Sequence, residues 1–156
     1  MQGIVTRDDK LIPEGSVGFS GTQKGATTEQ LGVVGWFLER WKATEIHIGS
    51  CVGADEQVFY YVRRYFPELT IYSHPSDILS KRALIKADYE FEPKHPLARN
   101  VDIVNGCRRF IATPYQAAEQ RRSGTWSAIR YARKLLNVSS LVIVRPDGIY
   151  VMERGN

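Results

Sequence analysis

The sequence predicts an α/β protein built on a mostly parallel β-sheet of about five strands. Short apolar runs alternate along the chain with longer segments of helical periodicity, which is typical of a parallel sheet covered by helices. The 156 residues are 43% hydrophobic, which is enough material for one sizeable core. We therefore expect a single domain over residues 1–156.

The first strand-turn-helix unit follows a polar segment over residues 1–15, in which residues 3–6 are a candidate edge strand. The strand itself is predicted over residues 16–20 and is followed by a glycine-rich turn. Thr27 and Gln30 then have the spacing of a capping box. Apolar residues at helical intervals after this box predict the first helix.

Two further strands are predicted over residues 45–49 and 69–73, with a helix over residues 56–66 between them. The polar, proline-containing stretch over residues 76–96 has no sustained periodicity. Long irregular connections in compact domains are often functional lids. A short helix over residues 78–86 is the alternative for part of this stretch.

The second half of the chain continues the alternation. A short helix ends at Gly106, with Arg99 and Asn100 near its beginning, and an amphipathic helix is predicted over residues 127–136. The remaining strands are predicted over residues 109–113 and 141–144, with a further edge strand over residues 149–153.

The connections between these elements define the expected topology. With right-handed crossovers, the five main strands take the order 3-2-1-4-5, counted along the chain. This arrangement is a Rossmann-like three-layer sandwich, in which the connections change direction between the first and fourth strands. Ligands of such sheets bind outside the carboxyl ends of the strands at this switch point.

The net charge and the hydropathy of the chain argue against a nucleic-acid-binding protein and a membrane protein. The formal net charge of +4 suits an anionic ligand but falls short of a nucleic-acid-binding signature. No apolar stretch is long enough to span a membrane, and residues 1–10 lack the hydrophobic region of a signal peptide. We therefore expect a cytoplasmic protein without a membrane partner.

The cysteines and histidines carry no metal-binding pattern. Cys51 and Cys107 do not form a CxxC pair, so reduced thiols are expected rather than a disulfide or a structural zinc site. His47, His74 and His95 lack the spacing of metal ligands. We therefore predict neither a metal nor a cofactor.

Three small polar turns follow predicted strands, at residues 20–22, 50–55 and 123–126. The last turn, SGTW, precedes a helix, whose first N–H groups lack intrahelical partners and attract anions. Glycine allows a ligand to approach the backbone, and the Ser123 and Thr125 hydroxyls can cap the helix or bind the same anion. An ordinary capped helix is the alternative for this turn taken alone.

Because the three turns follow strands of one parallel sheet, they are expected to meet at one edge and form a pocket. The candidate ligand-binding residues are Ser20, Gly21, Thr22, Ser50, Cys51, Gly53, Ala54, Asp55, Arg99, Asn100, Thr113, Ser123, Gly124, Thr125 and Trp126.

These turns resemble those of the SLOG superfamily, which includes the LONELY GUY proteins and the Rossmann domain of DNA-processing protein A. The similar stretches are GFSG at 18–21, IGSCVGAD at 48–55, PLARN at 96–100 and SGTW at 123–126. The resemblance spans nearly the whole chain. It implies a pocket for a nucleotide or another phosphorylated nucleotide-derived molecule, and a homo-oligomer of two or more copies.

The resemblance also bears on catalysis. In the catalytic LONELY GUY branch, a glutamate three residues after the threonine of the last turn and a separate arginine complete a hydrolytic site. Ala128 stands at that glutamate position here, whereas Arg99 matches the arginine. Asp55 is then the obvious acid near the predicted pocket for stabilising a ribosyl cation or activating water. We therefore expect a sensor, carrier or sequestering protein rather than a hydrolase.

Two other functions stay open. Asp55 and Arg99 are the candidate catalytic residues of a nucleotide phosphoribohydrolase or glycosidic-bond transferase like the LONELY GUY enzymes. Single-stranded DNA binding, as in DNA-processing protein A, is suggested by paired basic residues such as Arg121 and Arg122. It ranks last, because a nucleic-acid groove usually needs a contiguous basic track with stacking aromatics.

Three of the candidate site residues also fit a second role in the fold or the chemistry. Asp55 is equally a candidate cap for the helix that follows it, and Arg99 is a candidate surface partner of Asp102. Cys51 is a candidate nucleophile if a nearby helix N-terminus lowers its pKa, although no histidine is placed beside it by sequence.

The aromatic residues near the predicted pocket each fit a structural or a ligand-binding role. Trp126 fits the core better than a base-stacking role. Tyr89 and Phe91 are candidates to stack on a base from a lid, or to anchor their own loop.

Overall fold

The computed structural model describes residues 12–135 and 138–154. The strands are β1 (Ser16–Gly21), β2 (Glu45–Ile48), β3 (Thr70–Ser73), β4 (Tyr89–Glu90), β5 (Arg109–Thr113), β6 (Ser140–Val144) and β7 (Tyr150–Arg154). The helices are α1 (Thr28–Arg40), α2 (Ala54–Tyr65), α3 (Pro96–Asn105) and α4 (Gly124–Lys134). The strands form one sheet in the order β4-β3-β2-β1-β5-β6-β7, parallel throughout except between β6 and β7.

The α/β class and the mostly parallel sheet are confirmed, but the number and order of the strands differ from the prediction. β4 extends the sheet beyond β3, and β7, which confirms the edge strand predicted over residues 149–153, forms the opposite edge, so the described residues form seven strands rather than about five. β4 is only two residues long, which is too short to produce a periodicity signal. The candidate strand over residues 3–6 lies outside the described residues.

Alternate side chains of the strands face two separate apolar cores. On one face, Val17 and Phe19 of β1 pack with apolar residues of α1 and α2. On the other face, Phe110 and Ala112 of β5 pack with residues of α3 and α4. The helices therefore lie in pairs on opposite sides of the sheet, which gives three layers.

The connections change direction between β1 and β5. The last residues of these two strands, Gly21 and Thr113, lie in register, and the Thr22 N–H donates to the Thr113 carbonyl at 3.2 Å. Gly21 permits this close approach, because a Cβ atom there would overlap the Thr113 hydroxyl and the Ala54 side chain. The turns that follow β1 and β5 therefore lie at the same edge of the sheet.

Side-chain hydrogen bonds cap the N-termini of α1 and α4. Thr27 and Gln30 exchange side-chain and backbone hydrogen bonds, so the predicted capping box of α1 is confirmed. α4 begins at Gly124 rather than at residue 127, because Ser123 is its N-cap. Leu136, the predicted end of this helix, lies outside the described residues. No helix within residues 12–135 and 138–154 is long and apolar enough to cross a membrane.

The short helix that was the alternative over residues 78–86 is absent, and this part of the connection holds a single 3-10 turn at Leu79–Lys81. The backbone on both sides of this turn is bound to the β2–α2 turn instead, since Val52 N–H donates to the Lys81 carbonyl and Ala83 N–H to the Ser50 carbonyl. The connection is therefore held against the sheet edge by backbone hydrogen bonds.

Gly53 joins the β2–α2 turn to the β1–α1 turn. Its φ is +92°, and a Cβ atom there would overlap the backbone of Gln23. We expect Gly53→Ala to lower the free energy of unfolding by about 1–3 kcal/mol or more, because the backbone is strained for an L-residue and the two turns must separate. Urea denaturation followed by circular dichroism measures this loss.

The matched control for this prediction is Gly32→Ala on the exposed face of α1, where a Cβ atom meets nothing within 4 Å. Alanine should stabilise this helix interior by up to about 1 kcal/mol relative to glycine. Equal and small effects of the two substitutions would show that Gly53 does not constrain the junction of the turns.

Candidate functional site

A cleft of about 710 Å³ opens at the carboxyl ends of the central strands. Its walls come from the β1–α1 turn, the β2–α2 turn, the first half of α3 and the loop between β5 and α4. The volume lies within the range of small-molecule sites. The predicted convergence of the three polar turns at one edge is therefore seen as a single cleft.

The N-terminus of α4 forms one wall of this cleft. The Ser123 hydroxyl accepts the Trp126 N–H at 3.2 Å, whereas the N–H groups of Gly124 and Thr125 have no partner within the helix. A Cβ atom on Gly124 would meet nothing within 4 Å, so the space in front of these groups is open. The helix start is thus exposed to an anion in the cleft.

A buried arginine lies at the floor of the cleft. Arg99 is 8% exposed, and its guanidinium donates to the carbonyls of Gly49 at 2.7 Å and His74 at 3.4 Å. Its Nε donates to the Asn100 side chain at 2.9 Å. Arg99 therefore links α3 to the ends of β2 and β3. The surface pairing with Asp102 is wrong, because Asp102 pairs with Lys94 at 2.7 Å.

Asp55 lies beside this arginine, and one of its two carboxyl oxygens is buried without a hydrogen-bond partner among the described residues. Its Oδ2 accepts the Cys51 N–H at 3.2 Å, whereas the buried Oδ1 has no hydrogen-bond partner among the described residues. Burial raises the pKa of Asp55 to about 6, although Arg99 and the Cys51 N–H both act to lower it. Asp55 does not cap α2, whose N-cap is Gly53 without a side-chain hydrogen bond.

Cys51 is not activated as a nucleophile. Burial and the neighbouring Asp55 raise the pKa of its thiol, and the lowering by Arg99, which donates to the sulfur at 3.4 Å, is smaller. The proposed lowering of the Cys51 pKa is therefore wrong. Its buried position in the turn accounts for the residue without a thiolate role.

The structure brings ten of the predicted site residues to the cleft surface and leaves five behind it. Those that line the cleft are Ser20, Gly21, Thr22, Cys51, Asp55, Arg99, Asn100, Ser123, Gly124 and Thr125. Those that do not are Ser50, Gly53, Ala54, Thr113 and Trp126. Each of the second group supports the turns or the core.

The supporting roles follow from the contacts. Ser50 hydrogen-bonds the Ser73 hydroxyl. The Ala54 N–H donates to the Thr22 carbonyl at 3.0 Å. Trp126 is 4% exposed and packs in the core beneath α4, so its predicted core position is confirmed and base stacking is excluded.

The two aromatic residues of the β3–α3 connection anchor that segment. Phe91 stacks on His74 with ring centroids 4.3 Å apart, and Tyr89 stacks on Tyr72 at 5.1 Å. Neither residue lines the cleft. Anchoring of the loop therefore accounts for both.

A chain of buried polar side chains lies under Arg99. His47 hydrogen-bonds Glu45 at 2.9 Å and His74 at 2.8 Å, and the His74 carbonyl accepts from Arg99. The described residues contain no group of three or more histidines, cysteines or carboxylates arranged to hold a metal ion. The hydrogen bonds of His47 connect β2 to the residue that follows β3.

Sequence reasoning missed most of the basic wall of the cleft. Lys24, Lys81, Arg121, Arg122 and Arg130 all line it. The Arg121-Arg122 pair directly precedes the SGTW turn and is the one local signal, but basic pairs of this kind are also common in solvated loops. Lys24 and Lys81 come from different loops, and their convergence depends on the tertiary fold.

Comparison of the chain with known protein families, with curated proteins and with solved structures gives no match. The resemblance to the SLOG superfamily therefore stays a prediction from the turns.

The raised pKa of Asp55 predicts a pH dependence of stability. The Asp55 carboxyl has a pKa of about 6 in the folded state and 3.8 in the unfolded state. Its contribution to the free energy of unfolding is therefore complete at low pH and is lost as the pH rises through 6. Asparagine does not titrate, so Asp55→Asn does not lose this contribution. Its free energy of unfolding should therefore rise by up to about 3 kcal/mol relative to that of wild type between pH 4 and pH 7.5. Urea denaturation across this pH range measures the difference.

Asp77→Asn, which removes an exposed carboxylate of the same type, is the control for the loss of one charge. If the difference in free energy of unfolding between wild type and Asp55→Asn does not change with pH, the pKa of the buried Asp55 carboxyl is not raised.

Proposed function

We propose that the protein is a Rossmann-like member of the SLOG superfamily that binds a nucleotide or another phosphorylated nucleotide-derived small molecule in this cleft. The observation that carries the proposal is the pairing of two unused groups in one cleft. These are the N–H groups of Gly124 and Thr125, which lack partners within α4, and the carboxyl of Asp55, whose buried Oδ1 has no hydrogen-bond partner among the described residues. N–H groups that bind an anion, beside a carboxyl that accepts a hydrogen bond from a hydroxyl, match the phosphate and the hydroxyl groups of a phosphorylated sugar.

The position of the cleft supports the same conclusion. It lies at the carboxyl ends of the strands where the sheet order reverses, which is where open parallel sheets bind ligands. In the proposed complex, Gly124 and Thr125 N–H groups bind a phosphate and Asp55 accepts a hydrogen bond from a ribose hydroxyl. The buried Arg99 holds the floor on which Asp55 and Cys51 lie.

Binding without turnover is the favoured role. Ala128 is buried in α4 at the position where the catalytic LONELY GUY branch has a glutamate, and alanine has no group for proton transfer. A sensor, carrier or sequestering protein needs the affinity of the cleft and no such group. Assembly into a homo-oligomer stays a prediction, which light scattering of the purified protein tests.

Gly124→Asp tests the anion site directly. The new carboxylate has room in the cleft and is favoured at a helix N-terminus, so the protein should stay folded. It should also repel phosphate, and we expect at least about a hundredfold loss of affinity, equivalent to two charge-assisted hydrogen bonds. Isothermal titration calorimetry with nucleoside monophosphates measures the loss.

Two control variants separate charge from shape. Gly124→Ala adds a methyl group without a charge at the same position and should lower affinity far less than Gly124→Asp does. Gly32→Asp adds the same charge at an open glycine of α1 and should retain binding. Unchanged affinity of Gly124→Asp, with a nucleotide that clearly binds, would remove α4 from the site.

Cleavage of an N-glycosidic bond is the second candidate, because Asp55 is a buried carboxyl with a pKa near 6 in a cleft. In this reaction, water attacks C1′ of the ribose as the C1′–N bond breaks. The base leaves with the bonding electrons and takes up a proton, and the ribose phosphate keeps the hydroxyl.

Release of free base from nucleoside monophosphates, followed by liquid chromatography, distinguishes the two roles. An enzyme should lose turnover at least about a hundredfold in Asp55→Asn, while the nucleotide still binds. A protein that only binds should release no base above the level of Gly124→Asp. Turnover that is lost in Asp55→Asn would replace the binding role by the enzyme role.

A further inference from the structure

The cleft carries far more positive charge than one phosphate requires. Among the described residues, six basic side chains line it, against the single carboxylate of Asp55: Lys24, Lys81, Arg99, Arg121, Arg122 and Arg130. The formal charge of this lining exceeds the +4 of the whole chain. The rest of the protein is therefore close to neutral, and its positive charge is concentrated in the cleft.

Most of these cations form no ion pair with another described residue. Arg130 pairs with Glu119 at 2.8 Å, but the other five have no carboxylate within ion-pair distance among residues 12–135 and 138–154. Elsewhere the chain does pair its charges, as in Arg133 with Glu153 at 2.8 Å. Unpaired like charges that line one cleft repel each other and raise the local concentration of anions.

The cations also come from separate segments. Lys24 belongs to the β1–α1 turn, Lys81 to the 3-10 turn after β3, and Arg121 and Arg122 to the loop before α4. A phosphate monoester carries a charge of about −1.5 to −2 at neutral pH, so it offsets at most about two of them. A phosphate on the N-terminus of α4 therefore leaves cations of the other segments without an anionic partner.

We infer that the cleft takes a nucleotide with a chain of two or more phosphates, whose additional charges bind Lys24 and Lys81. This inference rests on the proposed function and specifies its ligand class. A small molecule fits better than a nucleic acid, because the cleft has the volume of a small-ligand site. Moreover, Tyr115, an exposed aromatic side chain of the lining, already has the Lys24 ammonium over its ring at 4.1 Å.

Calorimetric titration with AMP, ADP and ATP, and with the corresponding guanosine, cytidine and uridine series, tests the inference. For at least one base, affinity should rise by at least about tenfold from the monophosphate to the triphosphate, which corresponds to one added charge-assisted hydrogen bond. In the Lys24→Ala/Lys81→Ala variant this ratio should fall to about threefold or less, while the monophosphate affinity stays within about threefold.

The control variant is Lys86→Ala/Lys134→Ala, which removes the same charge from exposed positions outside the cleft and should keep the wild-type ratio. A monophosphate that binds as tightly as the triphosphate would overturn the inference and leave the proposed function intact. No nucleotide binding at all, from any series, would overturn both.

Tight, salt-dependent binding of a single-stranded oligonucleotide without binding of any mononucleotide would also overturn the inference. In that case the cations belong to a nucleic-acid site. The oligonucleotide arm uses an unstructured thymidine homopolymer at two salt concentrations.

Discussion

The buried guanidinium of Arg99 is the interaction on which the cleft depends. Arginine cannot shed its proton to escape burial, so carbonyl dipoles and side chains must solvate it. The carbonyls of Gly49 and His74 do so, and glycine is required at residue 49 because a Cβ atom there would overlap the guanidinium. This contact links α3 to two strand ends and places the guanidinium beside Asp55 and Cys51.

The cleft combines groups that destabilise the free protein. Within the described part of the chain, Oδ1 of Asp55 has no hydrogen-bond partner and loses solvation on burial, and the loop cations that form no ion pair there repel each other. The two apolar cores on either face of the sheet supply the stability that holds these groups in place. A phosphorylated ligand would satisfy both at once, since it brings hydroxyl donors and negative charge to the same place.

Local sequence patterns predicted most of the helices and strands. The short strand β4 and part of the cleft lining depend on tertiary contacts and were not predicted. The capping box at Thr27 and the turn at Ser123 were readable because both depend on residues within a few positions of each other. β4 was not readable, since two residues have no period. Thr113 illustrates the limit for the site: it ends β5 next to the correct turn, but its side chain is buried and does not line the cleft. Lys81 became a lining residue only because its loop binds the turn after β2.

The most direct test of the account is a titration of the ¹⁵N-labelled protein with nucleotides, followed by two-dimensional proton–nitrogen NMR. The account predicts that the amide resonances of Gly124 and Thr125 move together with those around Asp55, because phosphate and ribose would contact these two groups. Shifts confined to other surfaces, or no shift of the Gly124 and Thr125 amides at saturating nucleotide, would contradict it.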